Sequence, residues 1–437
     1  MIVDSQFTDV FARAEDVLAG GVDSPVRAGA AVGGAPFVQA CGAGAYAYDR
    51  SGRRYIDYLM AYGPLLLGHA HPAVSRGLDE IAARGAVFGS THEDEIVLAE
   101  RIRTHLPSMQ RLRFTTTGTE AVMRAIRTAR AFTGRPAIVK FAGNYHGHTD
   151  LALLGAGASA HTADAVRGGI PASTLADLGI ARYNDLDDLD RVLATPNVHE
   201  RLAAIVVEPI VGNMGLVQPV QGFLEGISTR AQERNALVIF DEVITWLRLG
   251  LGGAQRRLGL QPDLTALGKN LGGGFPLAAF GGRAEVMNVL APNGPAFAGG
   301  THAGNPFSIA IGLRVLDFLE SNNDVYGRMR ELGERLATGI RTALAQLGLS
   351  YAVVTLESIV DFKFRVGPAT RSYDDQYSAD ARAYAAYYHE MRARGVLLPP
   401  SQNEVMFLCT EHRKEDIDET IAAIGESLAA LRREKIV

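Results

Sequence analysis

Between Arg111 and Gly282 the sequence alternates short apolar runs with longer amphipathic segments, and this rhythm constrains the fold more than any other feature. The runs are Arg111-Leu-Arg-Phe-Thr, Ala137-Ile-Val-Lys-Phe, Ala203-Ala-Ile-Val-Val, Ala236-Leu-Val-Ile-Phe and Leu277-Ala-Ala-Phe. Continuous apolar runs of this length read as strands buried on both faces, and the periodic segments between them as crossover helices. The prediction is an α/β domain around a mostly parallel sheet. Residues 1–65 hold a helix from Phe7 to Leu18, Gly-rich turns, and a hairpin from Ala45-Tyr-Ala-Tyr through Asp49-Arg-Ser-Gly to Tyr55-Ile-Asp-Tyr. Residues 307–437 alternate long helical patterns with strands in Tyr351 to Arg365 and Glu404 to Leu408. The expected organisation is an N-terminal segment (1–65), a large domain (66–306) and a C-terminal segment (307–437), with the two terminal segments packing together as a smaller α+β domain.

Composition narrows the function classes. Lys+Arg of 43 against Asp+Glu of 48, a net charge of −5, leaves no global positive field for a polyanion, so nucleic acid is not the expected partner. Asp4 and Asp9 stand where a secretory signal would carry basic residues, and the longest uncharged stretch, Ala28 to Tyr48, is broken by Pro36, Gln39 and five glycines. A cytoplasmic protein with no membrane span is expected. Cys41 and Cys409 cannot make a disulfide framework, and are expected as buried free thiols.

Four segments carry chemistry. The strand Ala236 to Phe240 runs into Asp241-Glu242-Val243, and ligands of open α/β sheets bind beyond the carboxyl ends of strands. Only five of the basic residues are lysines, and Lys269 follows the apolar run Leu264-Thr-Ala-Leu and precedes Gly272-Gly273-Gly274. A lysine in such a setting is either a Schiff-base lysine activated by desolvation or a surface lysine in a turn. A phosphate-binding P-loop is excluded, because Asp263 and Asn270 stand where that motif needs Gly and Ser or Thr. Lys269 and Asp241 are one strand-helix-strand unit apart and can reach one crevice. A lysine imine and an aspartate facing a pyridinium nitrogen are what pyridoxal phosphate requires.

Thr116-Thr117-Gly118-Thr119-Glu120 lies between a strand and a helix, where it serves either as a phosphate cup or as an ordinary N-cap. Tyr145-His146-Gly147-His148 follows another strand; no Cys, Asp or Glu cluster completes a metal site there, and Tyr145 suits stacking on a flat cofactor.

In this order the segments resemble the class III pyridoxal-phosphate aminotransferases, and within them the glutamate-1-semialdehyde aminomutase subgroup. Further matching stretches are Gly20-Gly21-Val22-Asp23-Ser24-Pro25-Val26-Arg27, Leu67-Gly68-His69-Ala70-His71-Pro72, Val207-Glu208-Pro209-Ile210-Val211-Gly212-Asn213, Gly300-Thr301-His302-Ala303-Gly304-Asn305-Pro306 and Pro400-Ser401-Gln402-Asn403-Glu404. The resemblance implies a fold type I transferase using pyridoxal 5'-phosphate, with pyridoxamine 5'-phosphate as its reaction form. It implies that Lys269 anchors the cofactor and shuttles protons, and that Asp241 keeps the ring nitrogen protonated. Gly118 and Thr119 would hold the phosphate, Tyr145 and Val243 would flank the ring, and His146, Glu208 and Asn213 would line the site. Thr301 would reach the neighbouring subunit's phosphate, which makes the protein a homodimer. Ser24 and Arg27 would hold a substrate carboxylate, with Tyr62 and Glu404 beside it.

The sequence departs from the subgroup at Thr116-Thr117, Tyr62, Thr245-Trp246-Leu247-Arg248, and a loop through Gly157-Ala158-Ser159 up to Pro171. An altered lid and pocket wall favour an aminotransferase acting on a small carboxylate substrate, with the aminomutase making 5-aminolevulinate as the alternative. A racemase or a non-catalytic module on the same scaffold are minor alternatives, and retention of Lys269 and Asp241 speaks against the module.

Overall fold

An apolar run becomes an interior strand only where packing covers both of its faces, and the computed structural model, which describes residues 5–156 and 168–437, shows which runs meet that condition. In chain order the strands are β1 (Gln39–Ala43), β2 (Tyr46–Asp49), β3 (Arg54–Asp57), β4 (Arg111–Thr115), β5 (Ala137–Phe141), β6 (Leu178–Ala181) and β7 (Leu202–Val207). They continue with β8 (Leu237–Asp241), β9 (Leu264–Leu267), β10 (Ala278–Gly282), β11 (Tyr351–Leu356), β12 (Ile359–Val366), β13 (Val396–Leu397) and β14 (Met406–Phe407). The chain divides into two units. The larger comprises Pro72–Asn323 and Thr370–Asp374; the smaller comprises the described residues up to His71, Asp324–Ala369 and Asp375–Val437. The helix Pro306–Ser321 counts with the larger unit, where Asp317 and Glu320 pair with Arg101 at 2.7 and 2.8 Å.

The larger unit is built on a seven-stranded sheet of order β4-β10-β9-β8-β7-β5-β6. From β6 to β9 every pairing is parallel, whereas β10 is antiparallel to both of its neighbours. Period-2 alternation sends side chains to two faces. Ile205, Val207, Val238 and Phe240 pack with Phe223 and Ile227 of the helix Phe223–Glu233. On the other face Ile138, Ala204, Val206 and Ile239 meet Val122 and Ala125 of the helix Gly118–Thr133. This is the α/β architecture expected. The chain leaves β5 toward β6 on one side and continues through β7, β8 and β9 on the other. The point where strand order reverses is where a ligand crevice forms beyond the carboxyl ends.

Some local expectations are corrected. β4 is an edge strand rather than a run buried on both faces, with Arg111 exposed and Arg113 half-buried; its alternating arginines are the signature of an edge. β6 was not expected: it contains Gly179, where a Cβ would lie 2.6 Å from Val192 Cγ1, so close packing rather than strand propensity selects it. β1 adds a strand to the expected hairpin.

The smaller unit carries the sheets β1-β2-β3-β13 and β11-β12-β14. Its core gathers Tyr58, Phe362, Phe364 and Tyr387 against Leu336 and Ile340 of the helix Asp324–Gln346 and Ile424 and Leu428 of the helix Lys414–Arg433. Both cysteines are free; Cys409 is buried as expected, but Cys41 is exposed on β1. No helix among the described residues is long and apolar enough to cross a membrane.

Candidate active site

β8 is apolar until its last residue, Asp241, whose side chain is only 5% exposed. A carboxylate this deep must be hydrogen-bonded. Oδ1 accepts from Val243 N at 3.1 Å, and Oδ2 lies 2.8 Å from His146 Nδ1. Burial lowers the pKa of His146 and outweighs the opposing effect of Asp241. A neutral imidazole then donates from Nδ1 to Asp241, while the buried Nε2 has no partner among the described residues.

Lys269 begins the turn after the neighbouring parallel strand, β9, whose Ala266 sits opposite Asp241. Its φ of +42° is in the left-handed region, a conformation that costs a non-glycine residue of order 1–3 kcal/mol and that clusters at functional sites. Between β4 and the helix Gly118–Thr133, Thr117 caps the helix by accepting from Glu120 N at 3.2 Å, and Glu120 Oε2 accepts from Thr116 N at 2.7 Å. At Gly118 a Cβ would lie 3.0 Å from Val243 Cγ1. Gly147, at φ +91°, would place one 2.6 Å from Thr119 Oγ1, and the same oxygen lies 3.1 Å from His148 Nδ1.

These elements enclose a cavity of about 160 Å³ lined by Gly118, Thr119, Asp241, Val243 and Lys269, by Tyr145 and His146, and by Glu208 and Asn213. Nine of the residues expected around a cofactor therefore come together. Thr301, the tenth, is not among those lining it and lies exposed in the segment before the helix Pro306–Ser321.

Glu208 follows β7 and accepts from Tyr145 N at 2.8 Å and Gly212 N at 3.0 Å. Burial, reinforced by Asp241, pushes its carboxyl up to about 7. Lys140 is buried in β5 and donates to Ala152 O at 2.6 Å; burial pushes its ammonium down to about 7 against the pull of Glu208 and Asp241. Lys140 was not anticipated as a neighbour of the site, although a charge inside an otherwise apolar strand was a visible signal.

The other expected residues belong to the smaller unit. Arg27 N donates to Ser24 O at 3.0 Å across the turn Pro25–Ala28, and Arg27 itself is exposed. Tyr62 Oη donates to Val26 O at 3.2 Å. Burial raises the Tyr62 pKa, Glu404 and Tyr388 add to the rise and Arg27 opposes it, so Arg27, Tyr62 and Glu404 share one electrostatic neighbourhood. Trp246, expected in the pocket wall, is instead core: it is 1% exposed and its Nε1 donates to Leu251 O at 3.0 Å, while Val243 and Ile244 from the same segment line the cavity. Of the altered loop, residues 157–167 lie outside the described residues. Among the described residues no group of three or more His, Cys, Asp and Glu is arranged to hold a metal.

Residues 30–427 match the family model Aminotransferase class-III. The chain is 46% identical to a glutamate-1-semialdehyde 2,1-aminomutase of Sorangium cellulosum, covering 96% of this chain and 95% of that protein. Among solved structures it is similar to an omega-transaminase from Sphaerobacter thermophilus, with a TM-score of 0.87 and 33% identity over 98% of each chain. It is also similar to a lysine-to-alanine variant of a glutamate-1-semialdehyde-aminomutase from Pseudomonas aeruginosa PAO1 in complex with PMP, with a TM-score of 0.85 and 26% identity over 98% of this chain and 95% of that one.

Proposed function

Because the chain belongs to the class III aminotransferase family, we propose that it is a fold type I enzyme that binds pyridoxal 5'-phosphate and moves an amino group to or from a small substrate bearing a carboxylate. The observation that carries this reading is the convergence of Asp241 and Lys269, from the ends of adjacent parallel strands, on one cavity with the helix N-terminus at Gly118-Thr119.

The donor set fits the cofactor part by part. A helix N-terminus without a side chain at Gly118 suits a phosphate, a buried carboxylate suits a ring N–H, and a primary amine suits an aldehyde. When bound, the cofactor supplies an electron sink for ionising a C–H bond beside the substrate nitrogen, with pyridoxamine 5'-phosphate as the amino-carrying form. Lys269 Nζ anchors it and then holds or moves the proton at the substrate carbon. Asp241 keeps the ring nitrogen protonated, and His146 Nδ1 favours the charged form of Asp241 by donating to it. Glu208, poised near neutrality, can take up a proton instead of adding a second negative charge beside Asp241. Tyr145 and Val243, which line the cavity, would flank the ring, and Asn213 bonds Glu208.

Ser24 and Arg27 bind the substrate carboxylate, for which a guanidinium is suited by its paired donors, with Tyr62 and Glu404 beside it. Thr301 completes the phosphate site of the other subunit in a homodimer, and the enzyme works in the cytoplasm.

Intermolecular transfer is the leading form of the reaction, supported by the departure at Tyr62 and by the likeness to an omega-transaminase. The relatives at 42–46% identity named glutamate-1-semialdehyde 2,1-aminomutase favour a second form, an amino shift within one molecule. Glutamate-1-semialdehyde supplied alone separates them. The expected result is release of a keto product, with the cofactor left as pyridoxamine 5'-phosphate until an acceptor is added. Efficient conversion to 5-aminolevulinate without an acceptor establishes the second form.

A further inference from the structure

Three consecutive backbone carbonyls lead into Thr301, and each accepts from a different arginine. Arg127 Nη1 donates to Phe297 O at 3.2 Å, Arg113 Nη1 to Ala298 O at 2.7 Å and Arg124 Nη2 to Gly299 O at 2.8 Å. Arg113 reaches further back as well, to Ala291 O. Besides these bonds, the small Ala298 side chain is buried in the core of the larger unit and Gly300 O accepts from Ala303 N at 3.1 Å. Phe297 is 72% exposed, residues 298–300 are Ala-Gly-Gly, and among the described residues no strand pairs with them. Carbonyls outside any ladder need donors, and a guanidinium offers five in a fixed plane.

The fit is close: a Cβ on Gly300 would lie 3.1 Å from Arg124 Nη2. On the far side, His92 Nε2 lies 2.8 Å from Gly304 O, and Asn305 caps the helix Pro306–Ser321 by accepting from Ser308 N at 2.8 Å. Thr301 thus sits in a short exposed span fixed at both ends. Arg124 is 4% exposed, and Glu120, 3.6 Å away, bonds Thr116 N of the same chain's own phosphate cup.

We propose that Arg113, Arg124 and Arg127 are positioning residues that fix the segment carrying Thr301, and so act on cofactor retention in the other subunit's site rather than in their own. This inference rests on the functional reading above, in which Thr301 completes a phosphate site across a homodimer. The contact of Arg124 with Glu120 makes the opposite outcome physically reasonable, since the same arginine could instead stiffen its own cup. Location of the defect decides between them.

The test uses differently tagged subunits mixed into heterodimers, titrated with pyridoxal 5'-phosphate, reduced with borohydride, and read by mass as the fraction of Lys269 carrying cofactor. In the Arg124→Met homodimer the apparent Kd should rise about tenfold or more while the dimer persists. In the first heterodimer one subunit carries Lys269→Ala and the other Arg124→Met. Its remaining Lys269 receives Thr301 from a subunit with an intact clamp and should load like wild type. In the second heterodimer both substitutions lie on one subunit, and the Lys269 of the unmutated subunit should show the tenfold weakening.

Arg113→Gln, from the half-buried edge strand β4, should repeat the pattern and serves if Arg124→Met does not fold. A defect that stays with the substituted subunit, equal loading in both heterodimers, or a monomeric wild-type protein overturns the clamp. Wild-type protein that takes up no cofactor overturns the functional reading, and the clamp with it.

Discussion

In the smaller unit, the buried Asp49 carboxyl accepts from Ser51 Oγ at 2.6 Å and Tyr55 Oη at 3.0 Å; burial works against it, yet these bonds hold it below its ordinary range. Asp361 lies 2.8 Å from Lys363 Nζ, with both side chains buried. In the larger unit, burial instead drives Glu208 up to about 7 and Lys140 down to about 7. These two buried carboxylates are complemented by groups of their own unit, while Glu208 and Lys140 remain displaced beside a cavity. Displacement of this kind accumulates where a ligand is to supply part of the electrostatics. The difference separates Asp49 and Asp361, which serve the fold, from Glu208 and Lys140, which stand beside the site.

The sharpest way to break the comparison is at Lys269. Lys269→Ala should remove turnover and the borohydride-trappable cofactor linkage while leaving thermal unfolding within a few degrees of wild type, because among the described residues no other lysine lines the cavity. Trapped cofactor in this variant would assign the chemistry to another residue.

In the smaller unit Asp361→Asn should cost about 3–5 kcal/mol of stability in urea titrations, since it leaves a buried ammonium without its counter-charge. A loss under about 1 kcal/mol would show that the Glu404 and Gln402 carbonyls, which also accept from Lys363, suffice.

Lys140→Met probes the displaced groups through pH. In the fold the Lys140 ammonium loses its proton near 7, against an ordinary value of 10.5, so between these limits the unfolded state binds more protons. Its contribution to stability therefore rises as pH rises from about 7 to 10.5, at roughly 1 kcal/mol per pH unit. The variant should lack that rise, and parallel stability curves for the two proteins from about pH 7 to pH 10 would contradict it.

The smallest effect belongs to a neutral partner. Tyr58→Phe removes a hydrogen bond of 2.9 Å to Thr420 Oγ1, worth about 0.5–1.5 kcal/mol, and the loss should not vary with pH near neutrality. Burial pushes the Tyr58 phenol well above its ordinary value, so any such variation would show that another, ionising group governs this position.

Sequence by itself determined the elements whose cause is local. Runs such as Ala203-Ala-Ile-Val-Val have no low-energy place except between two packed faces, and residue spacing alone brought Asp241 and Lys269 to neighbouring strand ends. The helix N-terminus at Gly118 was legible for the same reason, because the Thr117 side chain accepts from Glu120 N within the first turn.

Tertiary structure decided what depends on a partner far along the chain. Nothing near Trp246 in sequence announces that it belongs to the core, and nothing near His146 announces Asp241, 95 residues away, as its partner. β6 exists because Gly179 admits Val192, and β4 is an edge because no further strand follows it in the sheet order. Desolvation is likewise a property of everything packed around a group. The sequence could therefore show a lysine in β5, but only the fold could set the protonation of Lys140 and Glu208 beside the cavity.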